Sequence, residues 1–146
     1  MKKFLFAVLM LTGSLAFGQD KLGFTGHNHV ALHVKDIQTS AKFYQEVVGM
    51  KPIDVPPSLK GRRFWFDLGN GQQLHLLDGR TETIVHDRNG SHIALFVESM
   101  DKAEAFLKKQ NIQYHKQVRV DGVPQIYFSD PDGYLLEING DTRTKL

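Results

Sequence analysis

Cysteine is absent from the 146 residues of this chain. No disulfide can brace the fold and no lipidated N-terminal cysteine can tether it, so packing, helped by a metal or a partner subunit, has to supply stability. A long apolar run is missing too: Phe4 to Leu11 falls well short of the roughly 20 residues that a spanning helix needs. Nor is there an excess of one charge. The formal net charge of +2 is accounted for by Lys2 and Lys3, and the near-neutral remainder gives no electrostatic ground for nucleic acid or an anionic membrane as partner. A small molecule is the partner to expect.

What is present begins with a secretory pattern. Lys2 and Lys3 precede the apolar run and small residues ending in Ala16-Phe17-Gly18 follow it, the layout of a signal peptide cleaved after Gly18. The expectation is a signal peptide over 1–18, a periplasmic or extracellular location, no membrane contact after cleavage, and one domain over 19–146 around a single core.

That domain is internally duplicated, which changes how each residue in it is read. His29-Val30-Ala31-Leu32-His33-Val34 matches His92-Ile93-Ala94-Leu95-Phe96-Val97, and Gly71-Gln72-Gln73-Leu74-His75 parallels Gly133-Tyr134-Leu135-Leu136-Glu137. Unit one spans 27–78 and unit two 90–139. Within each, alternating apolar runs bracket one stretch of helical period, giving strand, helix, then three strands. Asp36 caps a helix carrying Ile37, Ala41, Tyr44 and Val48 and ended by Gly49; Ser99 caps a second with Ala103, Phe106 and Leu107, ended by Gln110-Asn111. Further strands are expected near 50–54, 61–68, 72–77, 113–118, 124–129 and 133–138. Asn70-Gly71 and Pro131-Asp132-Gly133 mark the last turn of each unit.

Side chains alternate across a strand, and here the alternation sorts chemistry. Val30, Leu32 and Val34 point one way, His29, Ala31 and His33 the other. Ile93, Leu95 and Val97 oppose His92, Ala94 and Phe96; Leu74 and Leu76 oppose His75; Leu136 and Ile138 oppose Glu137. The apolar sets are expected under the helices, and His29, His75, His92 and Glu137 on the opposite face. Neutral imidazole and carboxylate are good ligands for first-row divalent metals, and two histidines with one carboxylate leave positions open for substrate or water. The same parity brings Arg63, Trp65, Gln73, Phe96, Gln125 and Tyr127 to that face as candidate substrate contacts. His33 is a weaker candidate, and His27, His86 and His115, which have no counterpart in the other unit, read as surface residues.

With His29-Val30-Ala31-Leu32, Phe43-Tyr44 followed by Val48-Gly49-Met50, and the closing Phe128-Ser129-Asp130-Pro131-Asp132-Gly133-Tyr134-Leu135-Leu136-Glu137, the chain resembles the vicinal oxygen chelate superfamily of glyoxalases, bleomycin resistance proteins and extradiol dioxygenases. The resemblance runs from His29 to about Asn139. It implies an α+β fold in which tandem βαβββ units form a curved eight-stranded mixed sheet with helices on the convex side. It also implies one divalent ion (Ni, Zn, Mn or Fe) held in the cup by His29, His92 and Glu137. His75 stands where similar glyoxalases carry glutamate, so it is a fourth ligand or an acid/base. Glu137 or His75 is the candidate proton-transfer residue.

The implied activity is that of an exported glyoxalase-like lyase or isomerase acting on a small substrate with vicinal oxygens. The alternatives are an iron(II) ring-cleaving dioxygenase or a sequestering protein of the bleomycin-resistance kind. A homodimer is the expected assembly, with each cup closed within a chain or shared between two.

Overall fold

A computed structural model describes residues 21–87 and 89–141. The expected signal peptide, Met1 to Gly18, lies outside the described residues. Among those described, no helix is long and apolar enough to cross a membrane.

Each unit builds the expected elements. Unit one contains β1 (His29–Val34), α1 (Ile37–Phe43), β2 (Lys51–Ile53), β3 (Arg63–Gly69) and β4 (Gln72–Asp78). Unit two contains β5 (His92–Val97), α2 (Met100–Lys109), β6 (Tyr114–Val118), β7 (Pro124–Ser129) and β8 (Leu135–Gly140). Asp36 caps α1 by accepting from the Thr39 backbone N–H, and Ser99 caps α2 through the Lys102 N–H. The stretch Tyr44–Val48 continues α1 as a wider π-helical turn and stops at Gly49, whose φ of 82° suits a residue without a Cβ.

The eight strands are laid out as two four-stranded mixed sheets, ordered β1-β4-β3-β2 and β5-β8-β7-β6. β1 pairs with β4 and β5 with β8 in parallel; the remaining pairs are antiparallel. No ladder joins the sheets among the described residues, so β1 and β5 are both edge strands. The register repeats across the duplication: Trp65 lies opposite His75 as Tyr127 lies opposite Glu137, and Arg63 opposite Leu77 as Gln125 lies opposite Asn139.

One core serves both units. Leu32, Val34, Phe66, Leu74 and Leu76 from the first sheet, Ile37, Ala41 and Tyr44 from α1 and its extension, and Ile126, Phe128, Leu136 and Ile138 from the second sheet form one buried cluster. Burying a side chain of this size contributes roughly 1.5–3 kcal/mol. The same alternation leaves His29, Ala31, His33, His92, Ala94 and Phe96 exposed.

A buried polar clasp also joins the units, at the turn between β7 and β8. Asp132 accepts from the Lys35 backbone N–H (2.8 Å), the Ser40 hydroxyl (2.6 Å) and the Arg80 guanidinium, while Asp130 accepts from the Tyr44 hydroxyl (2.8 Å). Tyr134, whose hydroxyl exchanges hydrogen bonds with the N–H and C=O of His33, holds the outer edge of β1. Burial pushes the Asp132 carboxyl up, but the donors of Ser40, Lys35 and Arg80 outweigh it and leave it below its usual value. Asp130 shifts the other way, because burial dominates there. Gly133 is demanded by this turn: its φ is 93°, and a Cβ would fall 2.5 Å from the Ile84 carbonyl oxygen.

Candidate functional site

In unit two, β5 and β8 run side by side and bring His92 Nε2 to 2.9 Å from Glu137 Oε2. His92 Nδ1 lies 2.8 Å from the Gly90 carbonyl oxygen. A carbonyl only accepts, so Nδ1 carries a proton and Nε2 is the nitrogen left to face the carboxylate. Two lone pairs at that distance repel unless a proton or a cation lies between them, which makes this a place for positive charge.

Glu137 is itself nearly buried and held by neighbours on the same face. Its Oε1 accepts from the carboxamides of Asn139 (2.7 Å) and Gln125, and Gln125 accepts in turn from Gln117 (3.1 Å). Burial raises the Glu137 carboxyl, but hydrogen bonds from Tyr127, Asn139 and Gln125 and the charge of His92 outweigh it, so it is held below its usual value. It is a carboxylate at neutral pH.

Unit one presents imidazoles in place of the acid. His75 is sandwiched, with the His29 ring stacked on one face at 4.3 Å and the Trp65 indole on the other at 4.2 Å. His29 Nδ1 meets the Asn28 carboxamide oxygen at 2.5 Å, and His75 Nε2 meets that of Gln73 at 2.7 Å. These oxygens only accept, so the ring nitrogen left unbonded differs: Nε2 in His29, Nδ1 in His75. Burial, and then the charge of His29, hold His75 below the ordinary histidine value.

The four residues therefore stand as two pairs on two sheets. Among the described residues no three His, Asp or Glu side chains converge closely enough to hold one ion. In kind the donors fit a divalent metal: two imidazoles held at Nδ1, which leaves Nε2 to coordinate, and one ionised carboxylate. The carboxylate and both tautomers are fixed by hydrogen bonds from behind, as metal ligands require.

Of the predicted substrate contacts, Trp65 and Gln73 are engaged with His75, and Gln125 and Tyr127 are buried against Glu137. Phe96 is 53% exposed on β5, and Arg63 donates to the Arg62 carbonyl at the margin of β3. His33 lies on the exposed face of β1, and His27 and His115 are at the surface. His86, expected there too, is instead half-buried with its ring 6.1 Å from that of Tyr134, because the segment before β5 folds over the clasp. Asn28, Gln117 and Asn139 were not singled out from sequence. Parity alone would have found Asn139, two residues beyond Glu137 on the same strand face, and Gln117, directly opposite Gln125. A separate apolar groove of about 530 Å³, lined by Val47, Val48, Leu95, Val97, Phe106 and Leu107 among others, contains none of these donors.

Residues 26–138 match the model of the glyoxalase/bleomycin resistance protein/dioxygenase superfamily. The Arabidopsis thaliana protein named glyoxylase I 4 is 33% identical over 126 residues, covering 80% of this chain and 71% of that protein. A solved structure from Bacillus anthracis, assigned to the glyoxalase family, superposes with a TM-score of 0.68 at 28% identity, covering 82% of this chain and 97% of that one. At the level of fold, a mutant of the fosfomycin resistance protein FosX from Listeria monocytogenes, complexed with Mn(II) and 1S,2S-dihydroxypropylphosphonic acid, gives a TM-score of 0.67 at 24% identity, covering 84% and 98%. The repeated βαβββ architecture and these similarities agree, and the chain belongs to the glyoxalase/bleomycin resistance protein/dioxygenase superfamily.

Proposed function

We propose that this chain is an exported divalent-metal enzyme of the lyase or isomerase kind, acting on a small substrate with neighbouring oxygens. Its centre is assembled between two copies, with His92 and Glu137 from one and His29 and His75 from the other. The observation that carries this reading is the arrangement of donors as two half-sets, each on or beside an exposed edge strand. His92 and Glu137 face each other at 2.9 Å, a contact that calls for positive charge, and His29 offers the matching Nε2. The FosX complex with Mn(II) and a vicinal diol shows that this fold can hold such a metal and ligand.

His29, His92 and Glu137 are the residues that would hold the ion. Bound there, a divalent cation supplies Lewis acidity to substrate oxygens. The protein does the rest. Glu137, its Oε1 occupied by two carboxamides, stays a fixed carboxylate rather than a mobile proton carrier. His75 is the proton acceptor: it is neutral, its Nε2–H is committed to Gln73, and its Nδ1 is free to take a proton. Trp65 and His29 hold the His75 ring plane between them, so Nδ1 has a set direction. Phe96 and Trp65 supply apolar surface for the substrate body.

Export rests on Lys2, Lys3 and the run to Gly18. A sequestering role of the bleomycin-resistance kind is less well supported, because binding alone has no use for a carboxylate pinned opposite an imidazole nitrogen at 2.9 Å.

Complementation tests the assembly. Protein starting at Gln19 is prepared as His29→Ala, as Glu137→Ala and as a co-expressed mixture of the two. A centre shared between copies leaves each variant without metal, while the mixed dimer regains one of its two centres, so that a randomly paired mixture binds about a quarter of the parent's metal. If the mixture stays as empty as the single variants although the parent binds metal, the shared centre is wrong. If the parent binds none of Ni, Zn, Mn or anaerobic Fe(II), the enzyme reading goes with it.

A further inference from the structure

Glu137 sits in a setting that its counterpart in unit one lacks. Asn139 and Gln125 both donate to Oε1, and Gln117 braces Gln125, whereas neither carboxamide reaches Oε2, which faces His92 Nε2 at 2.9 Å; Tyr127 adds a further hydrogen bond to the carboxylate. In unit one the equivalent positions hold Leu77 and Arg63, in the same register beside His75. The fold therefore accepts leucine where Asn139 stands, and it needs no carboxamide opposite it. The amides are matched to Glu137, not to the sheet.

We infer that Asn139 and Gln125 are positioning residues that saturate Glu137 Oε1 and so present Oε2 alone, in a fixed direction, as a one-oxygen ligand beside His92. Each carboxamide uses an N–H that can only donate, so neither competes for a cation. A carboxylate free to rotate would offer both oxygens, spread its charge over two directions and lose orientation each time an ion left. One held at Oε1 keeps Oε2 aimed before any ion arrives. Ligand-orienting partners of this kind typically change metal affinity about 10- to 100-fold.

The inference rests on the reading of Glu137 as a metal ligand, and the experiment separates the two. Co(II) is titrated into the parent, Asn139→Leu, Gln125→Met and His92→Ala, following the visible absorption bands, with a melting curve for each protein. Asn139→Leu copies the residue that unit one already carries and is expected to keep the parent's melting temperature within a few degrees. The expected result is about 10- to 100-fold weaker Co(II) binding in Asn139→Leu and Gln125→Met, with changed visible bands at saturation as the carboxylate swings to two-oxygen binding. Gln117→Ala, one step further out, is expected to lose less. If Asn139→Leu and Gln125→Met both bind as the parent does while His92→Ala does not, the positioning role is refuted and the ligand reading stands. If the parent itself shows no Co(II) bands, the ligand reading fails and the positioning role falls with it. Gln125→Met keeps the test decisive should Asn139→Leu fold poorly.

Discussion

The two half-sites occupy the same backbone positions of a duplicated unit and carry opposite chemistry. In unit two a carboxylate is buried among carboxamides and a phenol, which stabilise its charge. In unit one an imidazole lies between an indole and a second imidazole, which favour the neutral ring. Duplication supplied two equivalent registers, in which Arg63 and Leu77 stand beside His75 where Gln125 and Asn139 stand beside Glu137. A duplicated pair of units thus becomes an asymmetric site while the register around His75 and Glu137 stays the same.

The comparison breaks if the halves prove interchangeable. Glu137→Gln removes the charge and is expected to abolish measurable metal binding, whereas His75→Gln keeps metal and loses turnover; equal metal loss in both, by elemental analysis of the purified proteins, would make His75 a ligand like Glu137. The joint between the halves gives the next largest effect. Asp132→Ala leaves the buried Arg80 cation unpaired and should cost about 3–5 kcal/mol in urea unfolding; a cost below about 1 kcal/mol would mean the clasp is incidental. Gly133→Ala at the same turn forces a Cβ against Ile84 and should cost about 1–3 kcal/mol, read from the same curves. The smallest effect is optical. Trp65 is the single tryptophan, and its fluorescence should fall on acidification as the stacked His75 becomes imidazolium. Because the folded protein holds His75 below the ordinary value of 6.5, the midpoint should lie below pH 6.5 and vanish in His75→Gln. The sign is fixed: the unfolded chain takes up this proton first, so His75 lowers stability as pH falls below 6.5 and contributes nothing above it.

The strands and helices were legible because period and caps agree: Asp36 and Ser99 cap where expected, and Leu32, Leu74 and Leu136 are buried where parity puts them. Parity also sorted the four donor residues to the exposed side of their strands or into the polar layer beneath it. Which donors share a site was not legible, because alternation along a strand says nothing about how two sheets meet. That is set by the clasp, and Ser40, Tyr44 and Arg80 carry no local mark of being its partners. Asp130 and Asp132 read as turn residues, which they are, and the turn chemistry hid their second use. The difference between the His75 and His29 tautomers was likewise invisible, since it depends on Gln73 and Asn28 oxygens lying within 2.7 Å.

The clasp also orders events in time. Ser40 and Tyr44 belong to unit one and Arg80 follows it directly, yet their acceptors, Asp130 and Asp132, come 52 to 92 residues later in the chain. A chain emerging N-terminus first from a ribosome or a translocation pore cannot bury those groups stably until the later turn has followed, since each would be desolvated without a partner. Unit one should therefore stay loose until unit two arrives and closes on it. What delays closure is a contact that only the finished chain can make, and the export proposed above would draw on that delay.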